Sequence, residues 1–236
     1  MLRIHFTLAD LAHTRIAPAP DPLWELALSM HVLRKRSDPL HSPWKRHIAQ
    51  LLHPRGPLRR DVALPLGLNP PVGYFPDFLT PFEAIGGFDA GLEALLATPK
   101  ARLRREIGWI DGPLGEATTA IDELAHGRAA ALNQLGEGMR RYHDTAIAPM
   151  WRRITAAVDA DRAIRARILA DGGPAALLGS LHPHARFVDA CLEIGEYSID
   201  RDLYLDGRGL VLIPSYFKDA GKLMGLRDPA LPPVLV

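Results

Sequence analysis

Proline sets the main limit on what this chain can build. Twenty-one prolines are spread along 236 residues rather than pooled in one tract. A proline ends, kinks or opens a helix, because its ring fixes φ and removes an N–H donor. Short helices with sharp ends are therefore expected over most of the length. Asp21-Pro22, Ser42-Pro43 and Thr98-Pro99 carry the strongest start signal, a capping side chain followed by proline at the first helical position. Helices are read from Pro22 to about Arg36, from Ser42 onward, from Gly87 to Ala97, from Thr98 to about Ile110, from Thr118 to His126 and from Ala129 to Arg141. Leu58 to Leu68 stays open between helix and loop. Asn69 to Pro81 reads as a loop dense in proline and aromatics.

The apolar pattern ranks these helices. Leu23, Trp24, Leu26, Ala27, Leu28, Met30, Val32 and Leu33 leave the second helix almost no polar side, so it is expected at the centre of a core. Ile147, Trp151, Ile154 and Val158 recur at spacings of four, three and four, an amphipathic stripe. A second stripe, Ile164, Ile168 and Leu169, runs to Asp171-Gly172-Gly173, a C-terminal stop, and Pro174 opens a short helix to about Leu181. Before all of these, Leu2 to Phe6 alternates as a strand. Thr7 then caps a short helix, with Asp10 in the capping-box position.

The last fifty residues change character. Arg186 to Ile194, Leu203 to Leu205 and Leu210 to Ile213 are β-rich, with a turn at Asp206-Gly207. Consecutive strands so close in sequence favour an antiparallel meander. The expected class is mainly α with a small antiparallel β-sheet (α+β): a helical core over 1–180 with an N-terminal strand, and a β-rich tail over 181–236 packed on it as one integrated domain. The closing Pro233 to Val236 reads as a strand or linker cut before its continuation.

Hydrophobic residues make up 47% and charged residues 23%, which places the chain among globular rather than disordered proteins. A net charge of +1 argues neither for nor against nucleic acid. One cysteine, Cys191, excludes an intrachain disulfide framework and fits a reducing cytoplasm. Neither a signal peptide nor a membrane span is read. Phosphate-binding, dinucleotide, metalloprotease, serine-hydrolase and CxxC signatures are absent, and no cofactor is expected. His182, His184, Asp189 and Cys191 could offer metal ligands, but their spacing matches no standard site, so no metal is expected. His41, His47 and His53 are six apart and share no helical face; they read as surface or capping residues. Arg34, Lys35, Arg36, Lys45, Arg46, Arg55, Arg59 and Arg60 form a basic region that reads as a solvated or partner-facing surface. Phosphate contact is the competing account, and DNA-binding residues stay unknown. Asp200, Arg201, Asp202, Asp206 and Arg208 read as edge-strand ion pairs, and no catalytic residue is assigned.

The aromatics are the candidate site. Trp24, Trp44, Tyr74, Phe75, Phe78, Tyr142, His143 and Trp151 could line an apolar ligand pocket. Its walls would be the Pro22 to Arg36 and Ile147 to Val158 helices, with Tyr74 to Phe78 as a lid. The competing account is plain core packing.

Several segments together resemble one family: Leu2 to Thr7, Ala19 to Glu25, Gly73 to Pro81, Tyr142 to Asp144, Asp171 to Gly173, Ser180 to Pro183, Asp200 to Leu210 and Ile213 to Phe217. This set resembles the long N-terminal part of certain actinobacterial transcriptional regulators of the ArsR-like class. The resemblance implies a sensing or dimerising region, a homodimer, and DNA contact only through a winged helix that would follow Pro232 to Val236. That winged helix is missing from this sequence, so no recognition residue is carried over. Nor does the chain hold the thiolate pair of metal-sensing members, and Lys218 to Leu226 departs from the family pattern. The expected function is a regulatory domain that senses a small apolar molecule, dimerises, or both. A scaffold without ligand and an enzyme acting on an apolar metabolite are the alternatives.

Overall fold

The computed structural model describes residues 1–35, 38–70, 73–111, 115–195, 197, 200–218 and 221–236. Arg36 of the basic region and Pro71 of the aromatic loop lie outside them. The class is α+β, with helix predominant. The chain forms two compact units, one of residues 1–20 and 153–236 and the other of residues 21–152. The expected boundary at residue 180 is therefore not where the contacts divide. The β tail shares its unit with the N-terminal strand.

The 21–152 unit is helical: α2 (Pro22–Arg34), α3 (Ser42–Leu51), α4 (Ala63–Leu68), α5 (Phe88–Leu96), α6 (Lys100–Ile107), α7 (Thr118–Ala125) and α8 (Ala129–Tyr142). The α2 helix is buried nearly all round, as its composition requires, with Leu23, Trp24, Leu26, Ala27, Met30 and Val32 at its core. Asp21 caps it, its Oδ1 accepting from the N–H groups of Leu23 and Trp24 at 3.0 Å each. The cap of α3 is His41 rather than Ser42. Ser42 Oγ instead donates to the Asp38 carbonyl, and His41 is buried against the Asp38 carboxylate, not on the surface. Trp109 lies in a turn two residues past the end of α6 rather than inside a helix.

The other unit contains β1 (Leu2–His5), α1 (Leu8–His13), β2 (Arg15–Ile16), most of α9 (Trp151–Gly179), β3 (Ala185–Val188), β4 (Cys191–Ile194), β5 (Arg201–Tyr204), β6 (Val211–Leu212) and β7 (Val234–Leu235). The expected stop near Gly173 is present: its φ of 71° breaks the helical path, and Pro174 restarts it. Thr7 and Asp10 form the capping box of α1 in both directions.

The sheets differ from the expected meander. One has the order β3-β4-β1-β5 and the other β2-β6-β7. The N-terminal strand is central, antiparallel to β4 and parallel to β5. Arg186 to Ile194 is not one run but a hairpin, β3 to β4. The turn at Asp206-Gly207 does not close a second hairpin, because hydrogen bonds capture the chain after it. Gly209 N–H donates to the buried Asp10 carboxylate and Leu210 N–H to Thr14 Oγ1. Backbone bonds from Arg15 to Leu210 and from Ala17 to Leu212 then lay β6 beside β2 in parallel. Leu2, Ile4, Leu192 and Ile194 point to one face of the larger sheet and join Leu177, Leu178, Leu205, Leu210, Leu212 and Leu235 in one buried cluster.

Candidate functional site

The eight aromatic-site residues all lie in the 21–152 unit, and they serve its packing. Trp24 meets Phe75 edge to face at 5.8 Å, and Phe75 meets His31 at 5.4 Å. The Trp44 indole N–H donates to the Ala146 carbonyl at 2.8 Å. Tyr142 is fully buried. Ser29 Oγ gives its proton to the Leu26 carbonyl, so the Tyr142 hydroxyl donates to Ser29 Oγ at 2.9 Å. Burial pushes the Tyr142 phenol up. The proposed lid is a fixed 3₁₀ turn, Asp77–Leu79, with Phe78 and Leu79 buried. Phe78 N–H donates to the buried Glu106 carboxylate at 2.7 Å, and Arg102 holds the same group. Tyr74 stands edge to face with Trp109 at 5.7 Å, and its hydroxyl accepts from Asp77 N–H. His143 stacks on Phe88 at 3.9 Å in a π-helical turn, His143–Ile147, and Trp151 is half-buried at the start of α9. Two sizeable cavities open among the described residues elsewhere, and neither is lined by any of these eight.

One cavity, of ≈ 530 Å³, lies in the helical unit among Leu33, Leu52, Ala63 and Leu66. Its charged groups are already engaged. Arg34 donates to the carbonyls of Leu66 and Asn69, and Arg59 pairs with Glu116 at 2.7 Å. Of the basic region, Arg34, Arg46, Arg55 and Arg60 are exposed, while Lys45, which donates to the Lys35 carbonyl, and Arg59 are half-buried.

The second cavity, of ≈ 290 Å³, lies in the other unit. Its floor is the three-stranded parallel sheet, with Ile16 of β2, Leu212 of β6 and Leu235 of β7. Its wall is one face of α9, with Ala157, Val158, Asp161 and Arg165. Leu181 and His182, the loop from Ile213 to Lys218, and Lys222 with Leu223 complete it. The α9 face shows why this place is unusual. Ile154, Val158, Asp161, Arg165 and Ile168 fall at spacings of four, three, four and three, so they share one stripe. Ile154 and Val158 are buried, and Ile168 packs on the leucine cluster. Two charged residues thus occupy inward positions between apolar ones. They form an i, i+4 pair: Arg165 Nε donates to Asp161 Oδ1 and Oδ2 at 3.3 and 3.4 Å. Arg165 Nη1 also donates to the Ser180 carbonyl at 2.8 Å. His182 Nδ1 accepts from His184 N–H at 3.1 Å, so a neutral His182 carries its proton on Nε2.

The sequence reading missed this site because it followed aromatics. The available signal was the Val158 stripe: continued one turn past its last apolar member, it runs into Asp161 and Arg165. The second expected stripe is only partly right. Ile164 is 60% exposed and Leu169 is 37% exposed, while Ile168 packs inward.

The open face of the larger sheet is the main polar cluster of this unit. Arg3 pairs with Asp200 and Asp202, and His5 Nε2 meets Asp202 Oδ1 at 2.7 Å while its ring stacks on Tyr204. Cys191 stands opposite His5 in register, but no hydrogen bond joins the thiol to the imidazole. Burial, with the negative charges of Glu193 and Asp202, pushes the thiol up. A nucleophilic cysteine needs the reverse. Among the described residues, no three His, Cys, Asp or Glu side chains converge as a metal site, and no helix is long and apolar enough to cross a membrane. No family model matches the chain, and neither curated proteins nor solved structures include a significant match to it.

Proposed function

We propose that the chain is the regulatory region of a cytoplasmic bacterial transcriptional regulator of the ArsR-like class. It senses a small apolar molecule, dimerises, or does both, and it leaves DNA reading to a winged helix outside residues 1–236. The family assignment rests on the sequence resemblance. The sensing role is supported chiefly by one observation, the ≈ 290 Å³ cavity between α9 and the β2-β6-β7 sheet. That volume is near the lower end for small-molecule sites, and apolar walls with a few polar groups are their usual make-up.

The position of the cavity supports the reading too. Leu235 and Val236 line it, and Val236 is bonded in both directions to the backbone of Met224. A ligand there would touch the segment from which, on the resemblance, the DNA-reading domain departs. Coupling needs two sites that bias one element, and β7 is the candidate element. The test is a thermal-shift screen of small apolar compounds on the wild type and on Ala157→Phe, which fills the cavity. A native-state ligand raises Tm by mass action. Compounds that stabilise the wild type and not Ala157→Phe are expected. Stabilisation that survives the filled cavity, or none at all, overturns the sensing reading and leaves the scaffold module.

A further inference from the structure

We infer that the α9 cavity takes a monocarboxylic acid with an apolar body, and that Arg165 is the group that receives its carboxylate. The inference rests on the sensing reading above and names the ligand class for that site.

The argument begins with charge. Asp161, Arg165, His182, Tyr216, Lys218 and Lys222 are the ionisable side chains on the lining. Asp161 is matched by Arg165, and the Lys218 ammonium donates to the Lys222 carbonyl. The pair leaves Arg165 only partly used. Its Nε faces Asp161 and its Nη1 faces Ser180, while its Nη2 donates to no protein group among the described residues. The guanidinium is thus held in place by two partners with an N–H edge to spare, and its side chain is only 22% exposed. A planar, pre-positioned fork of donors beside an apolar space matches a carboxylate better than a hydroxyl or an ammonium. The Lys218 and Lys222 ammoniums add positive charge, and a neutral His182 presents Nε2–H. The side-chain cations Arg165, Lys218 and Lys222 against the one side-chain carboxylate of Asp161 give a positive local balance, which repels amines.

The rest of the lining fixes the body of the ligand. Ile16, Val158, Leu181, Leu212, Leu223 and Leu235 are all aliphatic. They form the aliphatic part of the wall, beside the hydroxyl-bearing Ser215 and Tyr216. A dianion or a sugar would set its further polar atoms against these aliphatic side chains, at a desolvation cost. One anionic end and one apolar end is the chemistry that fits.

The experiment is isothermal titration of residues 1–236 with three probes of matched chain, octanoate, octan-1-ol and octylamine, at pH 7.5 and below their micelle concentrations. Octanoate should bind about tenfold tighter than octanol, with octylamine weakest. Arg165→Gln should bring octanoate down to the octanol level and leave octanol unchanged. Lys222→Ala, at an exposed position that should not affect folding, should weaken octanoate by roughly threefold through lost charge, and it carries the test if Arg165→Gln fails to fold. Equal binding of octanoate and octanol overturns the carboxylate inference and keeps the cavity. So does octanoate binding that is indifferent to both variants. Binding of none of the three removes the site, and the sensing reading with it.

Discussion

Asp10 shows how much one side chain can organise. Its Oδ2 accepts from both the Thr7 N–H and the Thr7 hydroxyl, and its Oδ1 accepts from Gly209 N–H, 199 residues away. Burial pushes this carboxyl up, but the bonds from Thr7, Gly209 and Gly207 outweigh it and hold the carboxyl below its ordinary value. The stability it contributes is present above the ordinary carboxyl pKa of 3.8 and is lost as pH falls through the lowered folded value. Asp10→Ala should cost about 2–3 kcal/mol in urea unfolding at pH 7, and much less at the acid end. Asp21 has the opposite sign. Burial pushes it up to about 7, only partly offset by the Trp24 and Leu23 N–H groups. Its contribution is complete below 3.8 and is lost as pH rises towards about 7. Asp21→Asn keeps a capping oxygen without the charge. Relative to wild type it should gain stability between pH 5 and pH 8, on the order of a few kcal/mol, and urea midpoints that move in parallel would refute this. The Thr7/Asp10 cap and the Asp21 cap were both legible in the sequence as local spacing. The Gly209 partner of Asp10 was not, because nothing local reports a contact across most of the chain.

Elements show the same division. The helices of residues 21–152 were legible because capping and period are short-range signals, and their ends differ from expectation by a few residues at most places. Strand pairing was not. Arg186 to Ile194 looked like one run because Asp189 and Ala190 carry no glycine to mark a turn. Yet their φ values are 49° and 57°, the left-handed pair that a two-residue hairpin demands. Alanine adopts that conformation at a cost of about 1–2 kcal/mol. Ala190→Gly should therefore stabilise the chain by about 1 kcal/mol, seen as a higher Tm, and a lower Tm would contradict the turn. On α8 the reverse holds. A Cβ at Gly138 would stand 2.4 Å from the Asp61 carbonyl oxygen, so Gly138→Ala should cost about 1–3 kcal/mol by chemical denaturation. The β5 to β6 connection failed as a sequence inference for a third reason. Its turn residues are right for a hairpin, but Asp10 and Thr14 offer the following backbone better partners on another strand.

At the scale of the whole molecule, the candidate site was the least legible part. Aromatic residues report burial, and burial alone does not distinguish a packed core from a pocket. The cavity beside α9 depends on where β2, β6, β7 and α9 meet, a set drawn from distant parts of the sequence. Two expectations follow from the proposed function. Anisotropy titrations with duplex DNA should show only weak binding that salt removes, and sub-micromolar sequence selectivity at physiological salt would contradict a regulatory region without its reading head. Sedimentation at micromolar concentration should give twice 25.9 kDa if the region dimerises by itself, and a strict monomer would assign pairing elsewhere. The central place of β1 has a further consequence during synthesis. Leu2 and Ile4 leave the ribosome before their partners, Leu192 to Ile194 on one side and Arg201 to Leu203 on the other, which come nearly two hundred residues later. At ordinary elongation rates that is a wait of roughly 10–40 s. The segment from Asp21 to Arg152 can complete its own helical core in the interval. The nascent β1 meanwhile stands as an unpaired apolar strand, the state in which a chaperone has most to offer and an aggregate most to gain.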